Sequence, residues 1–198
     1  MSSLKTVCVY CGSSDQTDEV YLRAAQAMGE ALCERGLDLI FGAGKTGMMG
    51  RVADAVLANG GQVIGVIPKI FETPELMHND LSELHVVESM HARKAMMMEL
   101  SDALVALPGG FGTFEELFEA LTWSQIGLHH KPIGVLNIDN YFTPLLDLIE
   151  HAREQGFIYS EHRQLLISET QPQDLLDRLS SYHPPDGLDR WVHRKEVK

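Results

Sequence analysis

The residues that invite chemistry lie in the stretch Ala106–Leu117, ALPGGFGTFEEL. A proline and three glycines break an apolar run. Thr113, Glu115 and Glu116 follow, where a helical pattern begins. Glycines let a backbone bend sharply and approach a ligand closely. The helix that opens next offers unpaired N–H groups to an anion. A carboxylate handed to its first turn is suited to acid–base work or to stabilising a developing cation. The same residues have a plainer reading. Thr113 and Glu116 fit a capping box, T-x-x-E, and Glu115 fits the helix dipole. Spacing alone leaves both readings of Glu116 open.

Two other loops share this character. YCGSS carries Gly12 and Ser13 after one apolar run, and FGAGKTGMMG carries Gly42 and Gly44 after the next. In a parallel sheet all three loops open on one side. A phosphate or a nucleotide is the ligand such a convergence fits, although glycine turns also serve strand-to-helix packing. GAGKTG is not a Walker A loop: the position of its opening glycine holds Leu39, inside a strand. Gly42, Gly44 and Gly47 match G-x-G-x-x-G by spacing, but the acidic residue expected at the end of the following strand is missing.

Arg93 and Lys94 fall early in SMHARKAMMM, where cations oppose the helix dipole. They have either a solvated face or a function. Met96, Met97 and Met98 read as core filler. Cys8 and Cys11 form a C-x-x-C within or at the end of a strand with no second pair, which reads as packing rather than redox or zinc chemistry. The nine histidines give no metal-ligand pattern, so no metal and no cofactor is expected. No G-x-S-x-G elbow is present.

These residues need a scaffold. Apolar runs at KTVCVYC, LDLIF, QVIGVI, LHVVE, DALVAL, KPIGVLNI and QLLISE read as strands. Helical spacing fills the intervals, as in DEVYLRAAQAMGEALCERG, closed by Gly36, and GMMGRVADAVLANGG. PKIFETPELMHNDL is irregular, with room for one short helix. The alternation predicts an α/β fold: a doubly wound, mostly parallel, Rossmann-like sheet in a single domain, residues 1–181, with a tail over 182–198. Ligands of such sheets bind beyond the carboxyl ends of the strands.

Composition narrows the partners. The 198 residues carry 28 acidic and 16 basic side chains, a net charge of −12. Such a surface repels nucleic acid and anionic membranes, so a small molecule is the expected partner. No apolar stretch reaches the roughly 20 residues of a membrane span, and no signal-peptide layout opens the chain. Three cysteines, an odd number, fit a reducing, cytoplasmic location.

The segment from Ser89 to Gly127 resembles the cytokinin riboside 5'-monophosphate phosphoribohydrolases, the Lonely Guy (LOG) family. Its P-G-G-x-G-T-x-x-E pattern is complete at Pro108, Gly109, Gly110, Gly112, Thr113 and Glu116. The preceding Met-His-x-Arg-Lys stands at Met90, His91, Arg93 and Lys94, and Thr122-Trp123 follows downstream. The likeness extends from the first strand to about residue 170. FGAGKTGMMG departs from the commoner G-G-G-x-x-G-L-M-G form at Lys45 and at its first methionine. Relatives are often labelled lysine decarboxylases, yet no lysine here has a pyridoxal-phosphate setting.

The resemblance implies hydrolysis of the N-glycosidic bond of an N6-substituted AMP, or of AMP, to free base and ribose 5-phosphate. It implies Arg93 and Glu116 as the catalytic pair. It implies Lys94, Gly109, Gly110, Phe111, Gly112, Thr113 and Thr122, with Gly12, Ser13, Gly42 and Gly44, as nucleotide contacts, and a homodimer as the assembly. Cleavage builds positive charge on the ribose, which a carboxylate stabilises. Arg93 is expected to keep Glu116 ionised. A non-catalytic carrier or sensor of a similar ligand is the alternative; it would not need the Arg93–Glu116 pair.

Overall fold

The computed structural model describes residues 4–188; the end of the expected tail, 189–198, lies outside them. Among these residues, seven strands form one sheet: β1 (Thr6–Tyr10), β2 (Asp38–Phe41), β3 (Val63–Pro68), β4 (Glu83–Val87), β5 (Ala103–Ala106), β6 (Ile133–Leu136) and β7 (Leu166–Glu169). The order is β4-β3-β2-β1-β5-β6-β7, and every ladder is parallel. The chain winds outward one way from β1 and then resumes on its other side at β5. Between β1 and β5 lies the switch point, where the two following loops diverge and leave a crevice.

Among the described residues, seven α-helices cover the sheet: α1 (Glu19–Glu34), α2 (Gly47–Ala58), α3 (Met90–Leu100), α4 (Phe111–Gln125), α5 (Thr143–Glu154), α6 (Ser160–Arg163) and α7 (Pro172–Ser180). Side chains alternate across each strand. Val7, Val9, Leu39, Phe41, Ala103 and Val105 meet Ala25, Met28, Val52 and Leu175 of α1, α2 and α7. Cys8, Tyr10, Ile40, Leu104 and Ala106 meet Met97, Leu117, Ala120 and Ile149 of α3, α4 and α5. Both faces of the central strands are buried, which is why they read as unbroken apolar runs, while the edge strand β4 is partly exposed. Cys8 and Cys11 are free thiols in this packing, and burial pushes both far above their ordinary range.

Helix ends explain the connections. Gly36 and Gly60 take φ of 63° and 75° just past α1 and α2. The irregular stretch after β3 holds a short 3-10 turn, Lys69–Phe71. It then straps back over the second glycine loop: His78 N–H donates to Ala43 O (2.9 Å) and Lys45 N–H to Leu76 O (3.1 Å). The sequence gives no periodic signal for α6, a single four-residue turn. At the start of the expected tail, Tyr182 packs on the core and Leu188 is buried. No helix among the described residues is long and apolar enough to cross a membrane.

Candidate active site

The loops after β1, β2 and β5 open on one cleft of about 480 Å³ at the switch point. Its walls include Gly12, Ser13, Gly42 and Gly44 from the first two loops, and Gly110, Phe111, Gly112 and Thr113 from the third. Arg93 and Glu116 face each other inside it, with guanidinium Nη1 3.5 Å from carboxylate Oε1. Both side chains are almost withdrawn from solvent, at 13% and 10% exposure.

Arg93 arrives from α3. Ser89 caps that helix, its Oγ accepting from Ala92 N–H at 3.1 Å. The helix packs back over β3, β2 and β1, which carries Arg93 from the sheet edge to its centre. There Nε donates to Val66 O at 3.1 Å. The guanidinium lies against Gly42, where a Cβ would stand 1.5 Å from Nη2. Gly42 is therefore glycine because Arg93 occupies the space of its side chain.

Glu116 arrives from α4, which starts at Phe111, two residues before the expected Thr113. The capping box does not form. Gly110 is the N-cap, with no side-chain cap, and Thr113 sits inside the first turn, 3% exposed. Its hydroxyl packs on Gly109, where a Cβ would stand 2.1 Å from Oγ1 and 2.8 Å from the Gly12 nitrogen. Glu116 falls in the second turn and turns into the cleft. The first intrahelical bond runs from Phe114 N–H to Gly110 O. The N–H groups of Phe111, Gly112 and Thr113 precede it, at the cleft wall, as donors for an anion.

The second glycine loop differs. The N–H groups of Met48 and Met49, at the start of α2, donate to Gly12 O at 3.0 and 3.3 Å. Thr46 Oγ1 donates to Ser13 O at 2.7 Å. This helix start braces the first loop, so its first N–H groups are already taken by protein oxygens.

Burial pushes the Glu116 carboxyl up to about 7 from its ordinary 4.5; Arg93 pulls it down by less than burial raises it, and Glu115 adds to the rise. Arg93 favours the charged form of Glu116, as expected, but burial outweighs it. Near neutral pH the carboxyl exchanges its proton readily, as an acid–base group should.

Three expected contacts stand outside the cleft walls. Gly109 lies behind them, sealed by Thr113. Lys94 points away, 8% exposed, and pairs with Glu115 and with Glu119 (2.8 Å), one turn apart on α4. It clamps α3 to α4, and its neighbours in sequence on each helix are Arg93 and Glu116. Thr122 is exposed on the far side of α4, its hydroxyl donating to Phe118 O at 2.7 Å. Conversely, Thr46, Met49, Ile67, Pro68, Phe71 and Leu76 line the cleft without having been singled out, and Met97, read as core filler, is buried and also borders it. Phe71 and Leu76 come from the irregular strap, where no periodicity marks an inward side. None of the lining residues is a lysine. Among the described residues, no three His, Cys, Asp or Glu side chains gather as a metal site.

Sheet order and cleft define a class: a doubly wound α/β protein with a buried acid–guanidinium pair at the switch point, beside an uncapped helix start. The chain matches the family described as "Possible lysine decarboxylase" over residues 49–179. It is 47% identical over 183 residues to LOGL3 of Oryza sativa subsp. japonica, named a probable cytokinin riboside 5'-monophosphate phosphoribohydrolase, covering 92% of this chain and 87% of that one. LOG4 of Arabidopsis thaliana, named a cytokinin riboside 5'-monophosphate phosphoribohydrolase, is 45% identical, with 92% and 85% covered. The chain belongs to this family, the Lonely Guy proteins. Among solved structures, a molybdenum cofactor binding protein from Rippkaea orientalis superposes with a TM-score of 0.68 at 21% identity, over 89% of this chain and 96% of that one. At that identity the likeness shows the fold alone.

Proposed function

We propose that the protein hydrolyses the N-glycosidic bond of cytokinin riboside 5'-monophosphates and of AMP, acting in the cytoplasm and releasing free base and ribose 5-phosphate. The observation that carries this reading is the Arg93–Glu116 pair, buried at the switch point beside the start of α4. The names of the relatives at 45–47% identity support the same reaction class. A surface of net charge −12 favours a small-molecule partner over nucleic acid.

In this reading the 5'-phosphate sits on the N–H groups of Gly110 to Thr113, with Gly12 and Ser13 closing the cradle. A Cβ at Gly110 or at Gly112 would meet no atom within 4 Å beyond its own chain neighbours and helix backbone. Protein packing therefore does not demand glycine at either position, whereas close approach of a ligand to the backbone does. As the C1'–N9 bond breaks, its electron pair leaves with the base, which takes up a proton from solvent. The ribose gains oxocarbenium character, and ionised Glu116 stabilises it. Glu116 then accepts a proton from the water that attacks C1'. Arg93 orients the carboxylate and supports its charged form. Gly42 and Gly44 shape the wall against Arg93 and Met49. Lys94 acts through the α3–α4 clamp and not by touching the nucleotide. We further propose a homodimer, in which Thr122 on the outer side of α4 faces the second copy.

Steady-state kinetics on AMP and adenosine test this reading. Binding energy from the phosphate, used in the transition state, raises the rate as well as affinity. Losing about 4 kcal/mol of it lowers kcat/KM roughly a thousandfold. Equal values for the two substrates would make the protein a nucleosidase. No base release from either would leave a non-catalytic binder.

A further inference from the structure

Behind the cleft, one tyrosine reaches the glycine turn. The segment after β6 leaves the sheet through Asp139 and Asn140, both with positive φ, 48° and 59°. Side-chain-bearing residues occupy this region sparsely, and two in succession need support from their surroundings. Asn137 provides it: its Oδ1 accepts from Phe142 N–H at 2.7 Å, and its Nδ2 donates to Thr143 Oγ1 at 3.0 Å. The turn so held presents Tyr141. Its ring packs edge-on against Tyr21 (5.7 Å) and Phe142 (5.1 Å) and stacks with Phe114 (6.4 Å). Its hydroxyl donates to Gly109 O at 2.5 Å.

Ring packing alone would be served by phenylalanine. The hydroxyl has a separate consequence. In a trans peptide the C=O and the following N–H point in opposite directions. Tyr141 draws the Gly109 carbonyl toward the aromatic cluster, so the Gly110 N–H is turned the other way, and Gly110 lines the cleft. The preceding peptide is also pinned, because Gly12 N–H donates to Pro108 O at 3.0 Å. The Gly109–Gly110 peptide joins two glycines and has no side chain to resist rotation. Its orientation rests on Tyr141.

We propose that Tyr141 is a positioning residue: its hydroxyl fixes the Gly109–Gly110 peptide so that the Gly110 N–H joins the N–H groups of α4 as a phosphate donor. The proposal rests on the phosphoribohydrolase reading. It predicts an effect confined to phosphate-bearing ligands, which a general structural role would not give.

The test compares wild type with Tyr141→Phe, which keeps the ring. Ribose 5-phosphate and inorganic phosphate, titrated by calorimetry, should bind about tenfold more weakly to the variant, the scale of one hydrogen bond to a charged group. The ratio of kcat/KM for AMP over adenosine should fall by a similar factor. Equal losses on both substrates, or unchanged phosphate affinity, would overturn the positioning role while leaving the reaction intact. Failure of wild type to bind ribose 5-phosphate would overturn both. A second measurement needs no variant: on titrating wild type with ribose 5-phosphate, the amide resonance of Gly110 should shift together with those of Phe111 and Gly112. A Gly110 amide that stays in place while its neighbours move would refute the proposal.

Discussion

Replacing Glu116 with glutamine should abolish base release and stabilise the fold at the same time. The carboxyl is 10% exposed, and burial lifts it to about 7 from the ordinary 4.5. A folded value above the unfolded one means the native state binds the proton more tightly. Stability then falls as pH rises from about 4.5 to about 7 and stays lowered above that. At about 1.4 kcal/mol per tenfold change in proton affinity, ionised Glu116 costs about 3 kcal/mol of folding stability at pH 8. Glutamine resembles the protonated acid and lacks that cost. In a chain of this size about 1 kcal/mol moves Tm by roughly 2–4 °C, so the variant should melt several degrees higher at pH 8. The gain should shrink steadily below pH 7 and vanish near pH 4.5. Differential scanning calorimetry of both proteins across pH 4.5–8.5 measures it. A variant that is equally or less stable at pH 8, or whose difference ignores pH, would refute the strained-carboxylate argument.

Other outcomes follow from the same geometry. Lys94→Met should cost about 2 kcal/mol, because it leaves the partly exposed Glu115 and Glu119 without their cation, and should lower activity by loosening α3 on α4. Exchanging the charges in Lys94→Glu/Glu119→Lys should restore part of both, measured by melting and kinetics; a direct phosphate contact from Lys94 would show no such recovery. Gly42→Ala should lower kcat/KM at least a hundredfold with the fold kept, since the new Cβ would lie 1.5 Å from the Arg93 guanidinium and must displace it from Glu116; a near-normal rate would show that Arg93 need not stand where it does. Base release should be unchanged in EDTA, and loss restored by one divalent ion would reveal a metal site.

Much of this architecture could be read in advance because buried parallel strands leave a strong signal. The runs TVCVY, DLIF and ALVA are apolar on both faces, and their neighbours switch to helical spacing. Gly36 and Gly60 mark helix ends for a steric reason visible in one residue. The convergence of three loops followed from parallel topology. What each loop donates did not, because it depends on which carbonyl lies opposite: Gly12 O takes the N–H groups of α2, leaving α4 free. Thr113 and Glu116 matched a capping box, yet Gly110 caps the helix three residues earlier and the threonine is buried in its first turn. Lys94 looked like a ligand contact beside Arg93. Adjacent helix positions point about 100° apart, so one faces the cleft and the other faces Glu115 and Glu119. The strap residues Phe71 and Leu76 had no local pattern at all; tertiary bonds such as those at Lys45 and His78 bring them to the cleft.

The most direct test of the central claim is product formation by the pure protein. Wild type incubated with a cytokinin riboside 5'-monophosphate should release free base and ribose 5-phosphate in equal amounts, resolved by chromatography. Folded Arg93→Ala and Glu116→Ala should each reduce that release at least a thousandfold, as expected for removal of a charge that stabilises the transition state. Release at near wild-type rates by either variant would remove that residue from the chemistry, and no release by wild type would contradict the assignment of the cleft as a glycosidase site.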